Sequence, residues 1–107
     1  MSNIYREAVD EQVKNRHVVV GATAVKVNPF GFKFVKGILL RTPGPQDTTP
    51  NPVSIWLGNA QVTADNAIET GGFPLVPGSS IFIPAEFVTG LYAISTQASQ
   101  NLAWLGV

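Results

Sequence analysis

Short apolar runs, separated by corners of glycine, proline and neutral polar residues, make up most of the chain from residue 17 onward. Runs of this length that are rich in β-branched and aromatic residues and bounded by turn residues predict strands. The predicted strands cover 17–27, 32–42, 53–58, 73–78, 79–84, 91–96 and 101–107, with a further short strand around Val62. Seven or eight short strands predict an all-β protein, either an antiparallel β-sandwich or a jelly-roll-like barrel.

The first two runs predict a β-hairpin, because NPFG at 28–31 places turn-forming residues between 17–27 and 32–42. Lys36 interrupts an otherwise apolar face of the second run. An interruption of this kind predicts either a β-bulge near Gly37 or a strand whose two faces are both partly covered.

Three connections are predicted to lie outside the strands. PGPQDTTPNP at 43–52 contains four prolines, which cannot donate hydrogen bonds to a sheet, so we expect a surface loop. NAQVTADNAIETGG at 59–72 is polar and rich in turn-forming residues. AEFVTG at 85–90 is expected to form a helical turn.

The strand SSIFIP at 79–84 is apolar on both of its faces. Because successive side chains of a strand point to opposite faces, Ile81 and Ile83 share one face and Phe82 lies on the other. One face can fill the core of the domain. Phe82 must then be covered by a loop or by a neighbouring subunit, which makes it a candidate interface residue.

The tripeptide WLG occurs twice, with Trp56 in one predicted strand and Trp104 in another. We expect the two strands to pair in one sheet. In that arrangement each indole caps the core and donates its N–H group to a nearby carbonyl.

The N-terminal stretch 1–16 is the only one rich in charge, and its apolar residues fall near helical spacing at Ile4, Ala8, Val9 and Val13. It is interpreted as an arm or a short helix, with a solvated tail as the alternative. We therefore divide the chain into an N-terminal arm, 1–16, and a β-sandwich domain, 17–107. Charges stand where a signal peptide has its apolar core, and no run of about 18 apolar residues occurs, so neither export by that route nor a membrane span is expected.

The charge of the chain is balanced in sum but divided along its length. The 107 residues, enough for a single domain, include seven basic and seven acidic ones. Residues 1–41 hold all the basic residues and carry a net charge of +4, whereas 42–107 carries −4. Such asymmetry can orient the molecule against a partner or against a second copy head to tail. Charged residues make up only 13% of the chain, so the polar surface is mostly neutral and costs less to bury in an interface.

No group of residues predicts a catalytic, cofactor or metal site. The single histidine, His17, lies beside Arg16 at the start of the first strand, where a catalytic triad is not expected. Asp65 and Glu69 lack the alternating ligands of a calcium loop, and the chain has no cysteine. Ser79 follows a Pro-Gly turn without a nucleophile elbow, and we expect it to satisfy turn amides. The sequence therefore predicts a protein that is not an enzyme and needs no cofactor or metal.

The basic residues lie near three phenylalanines, a combination found in platforms that stack nucleic-acid bases. The residues concerned are Arg6, Lys14, Arg16, Lys26, Lys33, Lys36 and Arg41 with Phe30, Phe32 and Phe34. Alternating phenylalanine and lysine is equally typical of a half-buried strand, and the net charge of zero argues against phosphate binding. Nucleic-acid binding is therefore not expected.

A series of motifs runs through the last two-thirds of the chain. They are VKGILLR (35–41), IWLGNAQVTADNA (55–67), GGFPLVPGSSIFIP (71–84), LYAIST (91–96) and LAWLGV (102–107). In this order the chain resembles small virion proteins of tailed bacteriophages, of the capsid decoration or cement type, and related β-sandwich structural domains. The resemblance does not include the first 34 residues.

The resemblance implies a non-enzymatic structural protein of a phage virion. Such a protein is made in the host cytoplasm, lies on the capsid exterior, self-associates as a dimer or trimer, and bridges subunits of the major capsid protein. The candidate residues for contact with a subunit or partner are Ile4, Tyr5, Arg6, Val9, Val13 and Phe82. The alternative is a carbohydrate- or receptor-binding sandwich module of a phage tail or fibre, in which Trp56, Tyr92 and Trp104 are exposed rather than core.

Overall fold

A computed structural model describes residues 13–86 and 88–107, and these residues form eight β-strands and no helix. The strands are β1 (Lys14–Val20), β2 (Val25–Lys26), β3 (Ile38–Arg41), β4 (Ile55–Gly58), β5 (Phe73–Leu75), β6 (Ser80–Ile83), β7 (Tyr92–Ser95) and β8 (Gln100–Gly106). The predicted all-β class is confirmed. The first strand begins at Lys14, three residues before the predicted strand and inside the stretch assigned to the arm.

The strands form two antiparallel sheets of four strands each that pack face to face. Sheet A has the order β1-β8-β3-β6, and sheet B has the order β2-β7-β4-β5. Four of the strand pairs are those expected if the whole chain folds back on itself as one long hairpin: β1·β8, β2·β7, β3·β6 and β4·β5. Two further pairs, β3·β8 and β4·β7, form when this hairpin curls into two sheets. This is the strand order of an eight-stranded jelly roll, so the predicted sandwich takes the jelly-roll form.

The predicted hairpin of 17–27 with 32–42 is wrong. Strand β8 lies between β1 and β3, with Leu105 opposite Asn15 on one side and opposite Leu39 on the other. A turn signal reports only on neighbours in sequence, whereas Leu105 is 90 positions from Asn15 and 66 from Leu39, so this pairing depends on the core between the sheets.

The predicted bulge near Gly37 is present at the start of β3. The backbone N–H groups of Lys36 and Gly37 both donate to the carbonyl of Val107, at 2.7 and 3.1 Å, and Val107 donates to the carbonyl of Gly37 at 3.0 Å. Two residues therefore stand opposite one, as in a β-bulge. Gly37 has a φ of 151°, and a Cβ atom there would lie 2.8 Å from the Cα of Pro84, so only glycine fits this position.

The core lies between the sheets and is filled by alternate residues of the strands. Its large buried side chains include Phe34, Ile38, Leu40, Ile55, Leu102 and Trp104. Phe34 comes from the irregular segment before β3, and its ring meets Trp104 edge-on with 5.6 Å between centroids. A Cβ atom at Gly106 would lie 2.8 Å from Cζ of Phe34 and closer still to two other ring atoms, so this ring takes the place of a side chain at residue 106.

The two tryptophans do not pair in one sheet, contrary to the prediction. Trp56 belongs to β4 in sheet B, and Trp104 belongs to β8 in sheet A. Trp104 is only 3% exposed, and its Nε1 atom has no hydrogen-bond partner among the described residues. The expected bond from its indole N–H group to a carbonyl is therefore not formed within that part of the chain.

The connection 43–52 is a loop, as predicted, and it is fastened at both ends. The hydroxyl of the buried Thr42 donates to the carbonyl of Val76 at 2.7 Å, and the amide of Asn51 donates to the carbonyl of Asn101 at 2.7 Å. The predicted helical turn at 85–90 is not formed by its described residues, which show a bend at Glu86 and a turn at residues 89 and 90.

Candidate interaction surfaces

An exposed apolar row crosses the outer face of sheet A. Phe82 of β6 lies opposite Leu39 of β3, and Leu39 lies opposite Leu105 of β8. The three side chains are 46%, 40% and 40% exposed, in that order, whereas their neighbours Ile81 and Ile83 pack against the core. The predicted placement of Phe82 on the face opposite these isoleucines is confirmed. We call Phe82, Leu39 and Leu105 the apolar row.

The ring of Phe82 lies along the surface rather than away from it. A Cβ atom at Gly37 would lie 2.9 Å from Cζ of Phe82, so the absence of a side chain at Gly37 makes room for the ring. Phe82 is therefore held by the sheet on one side and open on the other. An aromatic ring supported in this way loses little conformational freedom when a partner covers it.

A cleft of about 250 Å³ opens on the same face, beside the apolar row. Leu39, Ala103 and Leu105 form its apolar floor, and His17 and Arg41 form its rim. Ala103 lies directly between His17 and Arg41 across the strands. No acidic residue lines the cleft among the described residues.

The arginine of the rim is already paired with a carboxylate. Arg41 donates two hydrogen bonds to the carboxylate of Asp47, at 3.0 and 3.3 Å, and both groups are partly exposed. The hydrogen bond from Arg41, followed by one from the backbone of Gly44, lowers the pKa of Asp47 below its ordinary value of 3.8. The pair orients the guanidinium of Arg41.

Arg16 is held in place by aromatic rings. Its guanidinium lies 4.9 Å from the centroid of Phe32 and 5.2 Å from that of Phe30, and these two rings are stacked at 5.3 Å. Lys14 lies 5.8 Å from the ring of Phe32, which in turn meets Trp104 edge-on. Cation–π contacts of this kind fix the direction in which the charge is presented.

This cluster contains part of the set of basic and aromatic residues that resembles a platform for nucleic-acid bases. Phe34 is fully buried and cannot stack on a base, and Lys33 pairs with Glu86 at 3.3 Å. Lys26 lies on β2, in the other sheet. The described members of the set therefore do not share one platform.

A second aromatic surface lies on the outer face of sheet B. Trp56 and Tyr92 are partly exposed, alternate with the buried Leu57 and Ala93, and are diagonal neighbours across β4 and β7. Trp104 does not belong to this surface, because it is buried in sheet A. Of the three predicted platform residues, two therefore share a face and the third is core.

The polar connection 59–72 packs onto this same face through Val62, which is only 4% exposed. A Cβ atom at Gly58 or at Gly72 would lie 2.7 Å from Cγ2 of Val62. The two glycines therefore leave the space into which Val62 fits, beside Trp56. The strand expected around Val62 is reduced to one isolated bridge between Thr63 and Gly71.

The tip of this connection is braced by its own hydrogen bonds. The carboxylate of Asp65 accepts from the hydroxyl of Thr63 at 2.7 Å and from the backbone of Ala67 at 3.0 Å. Gly71 donates to the carbonyl of Ala67 at 2.9 Å, and Thr63 donates to that of Thr70 at 2.8 Å. The hydroxyl of Thr63, then the backbone of Ala67, lowers the pKa of Asp65 below its ordinary 3.8.

These bonds show what Asp65 does in the fold: it closes a turn. Within the described part of the chain no group of three or more metal-ligating side chains occurs. Ser79 also has a structural partner, since its hydroxyl donates to the carbonyl of Val76 in the same turn, where bonds to turn amides were expected. His17 is exposed on the rim of the cleft.

Four of the six residues predicted for partner contact, Ile4, Tyr5, Arg6 and Val9, lie outside the described residues. Val13 is 36% exposed and precedes the edge strand β1. The other surface residues were missed by sequence reasoning, namely Leu39, Leu105 and the fully exposed Ile68. Strand alternation could have found Leu39 and Leu105, since each lies between two buried neighbours.

A wider recess of about 680 Å³ lies at one end of the sandwich, between the segment before β3 and the segment after β6. Its lining comprises Lys33, Phe34, Val35, Lys36, Ala85 and Glu86. The pair Lys33 and Glu86 joins the two walls, as does the hydrogen bond from the backbone of Phe34 to the carbonyl of Glu86 at 2.6 Å. These two contacts therefore hold together the two segments at this end of the sandwich.

Comparison of the chain with family models, curated proteins and solved structures finds no match. No helix long and apolar enough to cross a membrane occurs in residues 13–86 and 88–107. Inference about function therefore starts from the surfaces of the jelly roll itself.

Proposed function

We propose that this protein is a non-enzymatic structural component of a bacteriophage virion, which decorates or cements the capsid by bridging subunits of the major capsid protein. The observation that carries the proposal is the apolar row on the outer face of sheet A, with Phe82 at its open end. An exposed row of three large apolar side chains is suited to contact with another protein.

The fold supports this proposal by analogy. Eight-stranded jelly rolls are common among viral capsid domains and lectins, although a fold by itself does not fix a function. The sequence motifs that resemble phage decoration proteins lie in the strands and turns that build this jelly roll. In this proposal the protein lies on the capsid exterior after synthesis in the host cytoplasm.

The composition favours a protein that works in an assembly. Only 13% of its residues are charged, and its neutral polar surface is less costly to bury than ions. Each sheet has an edge strand on either side, and β1, with seven residues, is the longest of these edge strands. Edge strands carry unpaired backbone groups that an oligomer or a larger shell can cover.

The proposal is tested by co-sedimentation of the purified chain with shells assembled from the major capsid protein encoded in the same genome. We expect binding that saturates at a fixed ratio of this chain to capsid subunits. Failure to sediment with shells at any concentration would sink the proposal. Shells pre-saturated with unlabelled chain serve as the control for non-specific adhesion.

A second candidate function is favoured by the outer face of sheet B. Trp56 and Tyr92 are partly exposed and are diagonal neighbours on this face, and aromatic side chains stack on sugar rings. A carbohydrate- or receptor-binding module of a tail or fibre would use this surface instead of the apolar row.

Glycan binding is read from the fluorescence of Trp56, with Trp104 as an internal reference because it is buried. Titration with a panel of bacterial surface polysaccharides is expected to shift Trp56 emission if this second function holds, and the Trp56→Ala variant is expected to lose both the shift and the binding. Unchanged emission across the panel removes this candidate.

A further inference from the structure

We infer that two copies of this chain pair edge to edge through strand β6, antiparallel, so that their two sheets A become one continuous sheet. β6 (Ser80–Ile83) is an edge strand, since sheet A has the order β1-β8-β3-β6. Among the described residues, only β3 pairs with it. The dimer rests on the self-association expected of the proposed function and gives it a defined contact.

The backbone of β6 has hydrogen-bonding groups that point away from β3. Hydrogen-bonded and non-hydrogen-bonded pairs alternate along an antiparallel ladder. Just beyond the ladder of β3 and β6, the N–H group of Thr42 donates to the carbonyl of Ser79 at 3.1 Å. Counting from this bonded pair, the next residue bonded to β3 is Ile81. The N–H and C=O groups of Ser80 and Phe82 are therefore the ones that point out of the sheet edge.

Two contacts around Gly37 agree with this assignment. A Cβ atom at Gly37 would meet the carbonyl oxygen of Ile83 before any other atom, so that carbonyl points toward β3. On the other side of β3, Gly37 and Val107 exchange hydrogen bonds of 3.0 and 3.1 Å. Alternation from that bonded pair directs the backbone groups of Leu39 toward β8. They are therefore turned away from Phe82, which lies opposite Leu39 in β6.

The outward groups of β6 are complementary to those of a second β6. When two such strands run antiparallel with Ile81 on the twofold axis, Ser80 of each copy lies opposite Phe82 of the other. Each of these pairs then exchanges hydrogen bonds in both directions. Within residues 13–86 and 88–107, no backbone hydrogen bond outside the strand ladders uses Ser80 or Phe82. The edge therefore offers these groups to a partner.

The other edge strands carry features that discourage pairing, and β6 does not. β1 begins with Lys14, β2 has two residues of which one is Lys26, and Pro74 stands in the middle of β5. Charged residues, proline and short length are the features by which natural proteins protect their edges. β6 has the sequence SIFI, without charge or proline. Two copies of it bring no like charges together, so a second copy of this strand fits the edge.

Pairing in this register also joins the apolar rows of the two copies. Phe82 of one copy is a diagonal neighbour of Phe82 of the other, at the ~7 to 8 Å over which aromatic side chains still reach one another across strands. Both rows lie on the outer face of the joined sheet, because side chains opposite each other in paired strands point to the same face. The dimer therefore presents one wider apolar surface and leaves it open to a capsid.

Sedimentation velocity of the full chain over a range of concentrations tests the pairing. The wild-type chain is expected to pass from monomer to dimer and no further, since a twofold contact is closed. Added salt is expected to leave the dimer unchanged, because no charge lies in the strand. Ser80→Pro removes an outward N–H group without touching the ladder to β3, and we expect dimerisation at least about tenfold weaker. Ser80→Ala keeps that N–H group and is the matched control, expected to dimerise like the wild type.

Cross-linking tests the register, since the chain has no cysteine of its own. Ile81→Cys places two thiols across the axis, where the Cα atoms of a non-hydrogen-bonded pair lie ~4.5 Å apart, within the reach of a disulfide. Ile83→Cys is the matched control on the same face of the strand, with its two Cα atoms more than ~13 Å apart. Oxidation with diamide is expected to give a covalent dimer of the first variant and not of the second.

Circular dichroism and urea unfolding check that both cysteine variants fold. If Ile81→Cys does not fold, a mixture of Ser80→Cys and Phe82→Cys chains replaces it, since these exposed positions lie opposite each other in the dimer. The β6 contact is overturned if the wild type stays monomeric, if Ser80→Pro dimerises like the wild type, or if Ile83→Cys cross-links as readily as the variant with thiols on the axis.

Shell binding separates this contact from the proposed function. A wild-type chain that saturates shells but stays monomeric in solution and on the shell contradicts the β6 contact and leaves the decoration role standing. Cross-linked Ile81→Cys dimers together with no binding of the wild-type chain to shells support the contact and contradict the decoration role.

Discussion

Replacement of Phe82 by threonine removes the large exposed ring from the apolar row and puts in its place a β-branched residue that is compatible with a strand. Phe82 is 46% exposed. Since a phenylalanine side chain has roughly 200 Å² of surface, about 90 Å² remains for a partner to cover. At about 25 cal/mol per Å², that area corresponds to about 2 kcal/mol of binding free energy. We therefore expect affinity for capsid shells to fall by up to about 30-fold.

The assay is quantitative co-sedimentation with shells, accompanied by urea unfolding of the free chain. Loss of the supported part of the ring is expected to lower the free energy of unfolding by about 1 to 2 kcal/mol, which a domain of this size tolerates. Phe73→Thr is the matched control, because Phe73 is 57% exposed but lies on β5 in the other sheet. It is expected to leave shell affinity unchanged.

Two results would refute this reasoning. Equal shell affinity of Phe82→Thr and the wild-type chain would show that the apolar row is not the contact. An equal loss of affinity in Phe73→Thr would show that the effect is one of general surface apolarity.

Three further predictions concern the core and the turns. Gly106→Ala is expected to lower the free energy of unfolding by about 1 to 3 kcal/mol in urea titrations, because the new methyl group overlaps the ring of Phe34; unchanged stability would contradict the packing described. Acrylamide is expected to quench Trp56 more strongly than Trp104, measured in the Trp104→Phe and Trp56→Phe variants. The pKa of Asp65 in the folded protein lies below its ordinary 3.8, so the ionised side chain stabilises the fold above that pH, and this contribution is lost as the pH falls through the folded pKa. The urea midpoint of Asp65→Asn should therefore decline less steeply in acid than that of the wild-type chain.

The strands and their faces could be predicted from the sequence because they depend on local alternation. In β6 the alternation alone places the side chain of Phe82 on one face of the strand and those of Ile81 and Ile83 on the other face. The structure agrees with this placement. The bulge at Gly37 was also predictable, since Lys36 breaks the alternation at that position.

Strand partners could not be predicted in this way. The pairing of β8 with both β1 and β3 follows from the rolling of the whole chain, which no local turn signal carries. The same limit explains the error over the tryptophans, since two similar tripeptides stand in different sheets. Ile68 was overlooked because a single apolar residue in a polar stretch has no periodicity, and its exposure depends on the closure of the loop around it.

The most direct test of the decoration role is cryo-electron microscopy of shells of the co-encoded major capsid protein, saturated with this chain. We expect ordered density for the jelly roll at regular positions on the outer surface of the shell, with the Phe82 edge of sheet A against capsid subunits. Shells without such density, or a jelly roll that meets its partner through Trp56 and Tyr92 of sheet B, would contradict it.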